Sequence, residues 1–113
     1  MIKITERKVD KVNVVSVEGK IDATSTGEVE KRLNDLISAG NKYLVLNFSG
    51  TDYINSSGLR VMLSSLKKLR KAQGDLKMAC ARPMVKQVFS TAGFTSLFEF
   101  YDREQDAISK FEV

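Results

Sequence analysis

The octapeptide Asp52-Tyr53-Ile54-Asn55-Ser56-Ser57-Gly58-Leu59 joins a short apolar run to a long amphipathic one. Upstream, Tyr43-Leu44-Val45-Leu46-Asn47-Phe48 predicts a buried strand over 43–48. Downstream, Leu59, Met62, Leu63, Leu66 and Leu69 recur at helical spacing. Between them, Asn55, Ser56 and Ser57 each carry a short side-chain oxygen able to accept from a free backbone N–H, the property of an N-cap. Gly58 in the first turn lowers helix propensity and so signals close approach by something that a Cβ would obstruct. Two hydroxyls at the positive end of a helix suit a phosphate or a phosphoacceptor, while a plain helix cap accounts for the same residues.

Working outward, residues 2–8 and 11–18 predict two strands, the first alternating Ile2 and Ile4 with polar residues, the second carrying Val12, Val14, Val15 and Val17. Asp10-Lys11 makes a tight turn between them, with no Gly or Asn to fix its type. Gly19-Lys20-Ile21-Asp22 leaves the second strand, and Ser25 with Glu28 reads as a capping box for a helix whose inner face is Val29, Leu33, Leu36 and Ile37. Gly40 and Asn41 close that helix. After the central helix, Gln73-Gly74-Asp75 is a stop, and Leu76–Cys80 is a weakly apolar strand. Pro83 opens a third helix that buries Val85, Val88 and Phe89 and ends at Gly93. A last strand at 97–101 precedes a closing helix capped by Asp102, with Gln105 in the capping-box position and Ala107, Ile108 and Phe111 inward.

The resulting order, ββαβαβαβα, is that of one α/β domain over residues 1–113: a mixed, mostly parallel β-sheet with helices packed against it. In such sheets the strand-to-helix loops at the strands' C-terminal ends build the working surface. Asp22–Thr26, Asp52–Ser57 and Ala81–Pro83 are therefore expected to be neighbours.

Composition narrows the chemistry. Hydrophobic residues make up 42% and charged residues 28% of the chain, as in ordinary globular domains. No apolar run is long enough to cross a membrane, no signal-peptide h-region opens the chain, and the single Cys80 suits a reducing compartment. A soluble cytoplasmic protein is the expectation, and the lack of a heptad seam favours a monomer. The net charge of +4 raises nucleic-acid binding. Without Trp, a run of five like charges or aromatic–basic interleaving, it does not carry that assignment. Arg60, Lys67 and Lys71 share a helix face, which reads as a solvated face or as an attraction for an acidic protein partner. With no His there is no Ser–His–Asp triad, and one Cys without His makes no zinc site. Neither a Walker loop nor G-x-G-x-x-G is present. The chain is expected to be no enzyme and to need neither metal nor cofactor.

The octapeptide resembles the signature of bacterial anti-sigma factor antagonists of the STAS domain family. Gly19-Lys20-Ile21-Asp22 is similar to the family's corner before the first helix, Val45-Leu46-Asn47 to its central strand, and Pro83 through Gly93 to its third helix. The resemblance implies partner switching. The unphosphorylated antagonist binds an anti-sigma factor that is also a serine kinase, which frees a sigma factor. Phosphorylation breaks that complex, and a phosphatase restores it. The implied acceptor is Ser56, and the implied partner-binding residues are Asp22, Thr24, Asn55, Ser56, Ser57, Gly58 and Arg60. Asn55 departs from the family, which commonly has Asp before the acceptor serine. The alternative is a STAS scaffold or accessory subunit of a signalling or transport complex that is not phosphorylated.

Overall fold

The computed structural model describes residues 2–111. Strands β1 (Ile2–Val9) and β2 (Val12–Ile21) pair antiparallel across a two-residue turn. Asp10 takes a left-handed φ of 54° there, the conformation that Gly or Asn usually supplies. Helix α1 (Thr26–Ser38) then leads to β3 (Tyr43–Asn47) and β4 (Thr51–Ile54). Helix α2 (Ser56–Lys71), β5 (Asp75–Ala79), α3 (Pro83–Thr91), β6 (Glu99–Tyr101) and α4 (Glu104–Ser109) complete the chain. The sheet runs β1-β2-β3-β5-β6, and every pair after the first is parallel. This is the mixed, mostly parallel sheet that the alternation of elements predicts.

Strand β4 is the element that the sequence does not announce. The expected exit corner at Gly19-Lys20-Ile21 remains in β2, and the register shifts between Gly19 and Lys20, where φ of Gly19 reaches 108°. That irregularity carries the end of β2 beyond β3, and β4 pairs with it there. A four-residue strand with Asp52 and Tyr53 both exposed has too little pattern to be recognised alone.

The sheet separates two apolar clusters. Val15, Val17, Leu44, Leu46, Leu76 and Met78 join Val29 and Leu33 of α1, Met62, Leu66 and Leu69 of α2, and Val85 and Phe89 of α3. The opposite face, with Val12, Val14, Val45 and Ala79, is covered by Ala107 and Ile108 of α4. Lys77 also lies on this second face, bonded to Glu99 at 2.7 Å and set over the ring of Phe111 at 4.8 Å. An interior lysine explains why β5 looks weakly apolar in sequence.

Three helices end in the same way. After α1, Gly40 donates to Ile37 O and Asn41 to Leu36 O; after α3, Gly93 donates to Ser90 O and Phe94 to Phe89 O. Both glycines are left-handed, as this pair of bonds requires. After α2 the same bonds form, Gln73 to Arg70 O and Gly74 to Leu69 O, but here the left-handed residue is Gln73, at φ 70°. Gly74 is needed for space instead: a Cβ there would lie 2.1 Å from Lys42 O. Gln73→Gly is therefore expected to stabilise the fold by about 0.5–1 kcal/mol, read as a higher urea midpoint. A lowered midpoint would contradict the strain assigned to Gln73.

Two predicted caps are not formed. Ser25 stands before α1 but makes no cap bond; its hydroxyl accepts from Asp22 N and donates to Lys20 O at 2.7 Å. The loop backbone takes up the oxygen that the capping box needed. Helix α4 begins after Arg103 rather than Asp102, and Gln105 bonds forward to Ser109. Its start is instead anchored by Glu104, which accepts from Arg7 and from Asn47.

Candidate functional site

The parallel pairing of β2 with β4 sets Ile21 opposite Ile54, so Asp22 and Asn55 leave the sheet side by side. Asn55 N–H closes the junction by donating to Ile21 O at 3.2 Å. The side-chain oxygen of Asn55 accepts from Ser57 N at 3.1 Å, from Gly58 N at 3.3 Å and from the Ser57 hydroxyl at 2.7 Å. Of the three candidate caps, Asn55 holds the position. Asn55→Ala is expected to cost about 1 kcal/mol of stability in chemical denaturation, because it leaves two N–H groups without their acceptor. No change in the midpoint would rule out the cap as a source of stability.

With Ser57 turned onto Asn55, Ser56 is the exposed hydroxyl at the first position of α2. Beside it, Asp22 Oδ1 accepts from Thr24 N at 3.0 Å and from the Thr24 hydroxyl at 2.6 Å. The Thr24 hydroxyl first, and its N–H second, hold the Asp22 carboxyl below its ordinary pKa. The tight turn at Asp22 thus keeps its negative charge as pH falls into the mildly acidic range, and loosens only below the lowered pKa.

The third predicted loop joins the same end of the sheet. Arg82, in the middle of that loop, donates to Ser49 O at 3.0 and 2.7 Å and to Asp52 Oδ1 at 2.9 Å. An arginine before a helix-opening proline carries no sequence signal for this role. Asp52 is therefore engaged by Arg82. Tyr53 and Met84 are exposed large apolar side chains that flank this pair along the chain.

Among the predicted site residues, Thr24, Ser56 and Arg60 are exposed, and Asp22, Asn55 and Ser57 are partly so. Gly58 departs from the expectation. It is buried, and a Cβ would lie 2.7 Å from Ile54 Cγ1 and 2.9 Å from Ile21 Cγ2. The close approach that its identity signals is made by the protein's own core, so Gly58 seats the helix start and offers no contact surface.

The STAS domain model matches residues 3–107, from β1 through α4. The chain belongs to the STAS domain family. This STAS domain is 32% identical over 112 residues to BtrV of Bordetella bronchiseptica, named after the anti-sigma factor antagonists, with 99% of this chain and 97% of that one covered. Its fold is that of an anti-sigma factor antagonist from Mycobacterium paratuberculosis, with a TM-score of 0.91 at 24% identity over 100% of this chain and 96% of the other. It is also that of the anti-sigma factor antagonist SpoIIAA in its unphosphorylated form, with a TM-score of 0.85 at 20% identity over 97% and 96% of the two chains. SpoIIAA from Bacillus in its phosphorylated form superposes with a TM-score of 0.77 at 19% identity over 96% and 99%. Relatives of this chain are named anti-sigma factor antagonists, among them an anti-sigma F factor antagonist of Paenibacillus polymyxa at 24% identity over 90% of this chain and 88% of that one. Among the described residues, no helix is long and apolar enough to cross a membrane.

Proposed function

We propose that this STAS domain binds an anti-sigma factor with serine-kinase activity through the end of the sheet that carries Asp22, Thr24, Asn55, Ser56, Ser57 and Arg60, and is released when Ser56 is phosphorylated. One observation carries the reading: Ser56 is the exposed hydroxyl of the α2 N-terminus, next to a polar loop that the fold holds in one geometry. Tyr53 and Met84 supply apolar anchors at the same end of the sheet, of the kind that dominate interface energies when a partner covers them.

The chemistry of release follows from charge. A phosphoserine adds roughly −1.5 to −2 charges and three acceptor oxygens. At a helix N-terminus the domain tolerates that charge, because the dipole favours it. A packed partner surface must desolvate it, and a carboxylate on that surface is repelled by it. The fold survives while the complex weakens.

The test is to capture the partner on the intact chain, add ATP, and follow intact mass and release together. A phosphate-sized mass gain that is absent in Ser56→Ala, with release, supports the switch. Stable capture with no gain in mass overturns it and leaves a scaffold or accessory subunit.

A further inference from the structure

We propose that Arg60 is the internal receptor for a phosphate on Ser56: in the modified chain its guanidinium folds one helical turn back onto the phosphate and is withdrawn from the basic edge of α2. The proposal rests on reading Ser56 as the modified residue. Ser56 and Arg60 stand four apart on one helix, so their Cβ atoms are about 5–6 Å apart and an arginine spans the gap easily. Both are exposed, and among the described residues Arg60 has no carboxylate within 4 Å. A guanidinium offers paired donors that match two phosphate oxygens.

The other groups at this end are committed elsewhere. The N–H groups of Ser57 and Gly58 are taken by Asn55 Oδ1, so the helix terminus has less to offer a phosphate than a bare one. Arg82 is held by Asp52 and Ser49. Lys20 lies opposite Tyr53 in the register, so alternation turns it away from the face on which Ile21 and Ile54 pack against Gly58. Among the anions, Asp22 is tied to Thr24, and Glu28 and Glu30 are exposed on α1, which packs against α2.

Arg60 also begins the groove along α2 that Leu63, Ser64, Lys67, Lys68 and Lys71 line. Before modification, its charge belongs to that edge and faces any acidic surface laid against it. After modification, the phosphate both repels such a surface and removes the edge's leading cation. The Ser56–Arg60 pair thereby goes from a net charge of +1 to about −0.5 to −1.

The experiment uses the full chain with phosphoserine placed at position 56 during synthesis, and follows the second phosphate ionisation by phosphorus NMR. A nearby cation favours the dianion, so the ionisation in the parent chain falls below the ordinary value of about 6. Arg60→Gln should raise it by about 0.15–0.4, with Arg60→Lys between the two and Lys67→Gln without effect. Equal titration in the parent and Arg60→Gln overturns the proposal, as does an equal rise in Lys67→Gln, which would mark a diffuse field. No kinase is involved in preparing the phosphate. Failure of the partner-switching reading would show as retained capture with ATP and would leave this titration unchanged.

Discussion

A chain carrying Ser56→Glu is expected to bind the proposed anti-sigma partner about 100-fold more weakly than the parent, a difference of about 2.7 kcal/mol. The same chain should unfold at an equal or slightly higher urea concentration. The two effects have opposite signs for one reason, the place of the new charge. The first turn of α2 has no acidic residue and Asn55 caps it with a neutral amide, so a carboxylate at Ser56 meets the positive helix end without an anionic neighbour in that turn. That interaction is worth about 0.3–1 kcal/mol in favour of the fold. Ser56 is exposed, so the longer side chain displaces nothing in the core. In the complex the carboxylate is taken out of water with no counter-charge supplied by the partner, and a penalty of about 2–5 kcal/mol is ordinary when an interfacial charge is left without a partner across the contact. Calorimetric binding and urea denaturation on the same preparation separate the terms. Affinity and stability falling together would mean that Ser56 acts through the fold, and the binding surface would have to be sought elsewhere.

The sequence made parts of this surface legible because its constraints are local. A cap needs a short oxygen-bearing side chain, which confines it to Asn55, Ser56 or Ser57, and Asn55 is the one that caps. The identity of Gly58 required a close neighbour, and the structure supplies Ile21 and Ile54. The gathering of the three loops follows from loops that leave the C-terminal ends of parallel strands, and the Asn55–Ile21 and Arg82–Asp52 bonds realise it. What stayed hidden depends on partners distant in the chain. Strand β4 exists because the shift after Gly19 frees the end of β2. Ser25 has the residue type and spacing of a capping box, yet the backbone at Lys20 and Asp22 takes its hydroxyl. Gln73 holds the left-handed position that Gly40 and Gly93 hold after the other helices, and Gly74 is required by the nearness of the Lys42 carbonyl. Local propensity names the candidates, and tertiary contacts choose between them.

Gly58→Ala should lower stability, by up to about 2 kcal/mol, even though alanine is the better helix former. Helix propensity alone favours alanine by about 0.8–1 kcal/mol. Against it stand two contacts: the added methyl would lie 2.7 Å from Ile54 Cγ1 and 2.9 Å from Ile21 Cγ2, with Ile54 Cδ1 at 3.1 Å. Both isoleucines are fully or almost fully buried in the main core, so neither can swing into solvent. Overpacking of this kind costs about 1–3 kcal/mol, which exceeds the gain from propensity. The strain has a functional reach, because relieving it means lifting the start of α2 off Ile21 and Ile54. Ser56 and the Asn55 cap would move with it, away from the Asp22 loop. Binding should therefore weaken in Gly58→Ala together with stability, in contrast to Ser56→Glu. A double variant with Ile54→Val removes one of the three crowding atoms, so its loss should be smaller than the sum of the two single losses. A Gly58→Ala chain more stable than the parent in urea denaturation would show that the helix start has room to spare and that Gly58 is there for another reason.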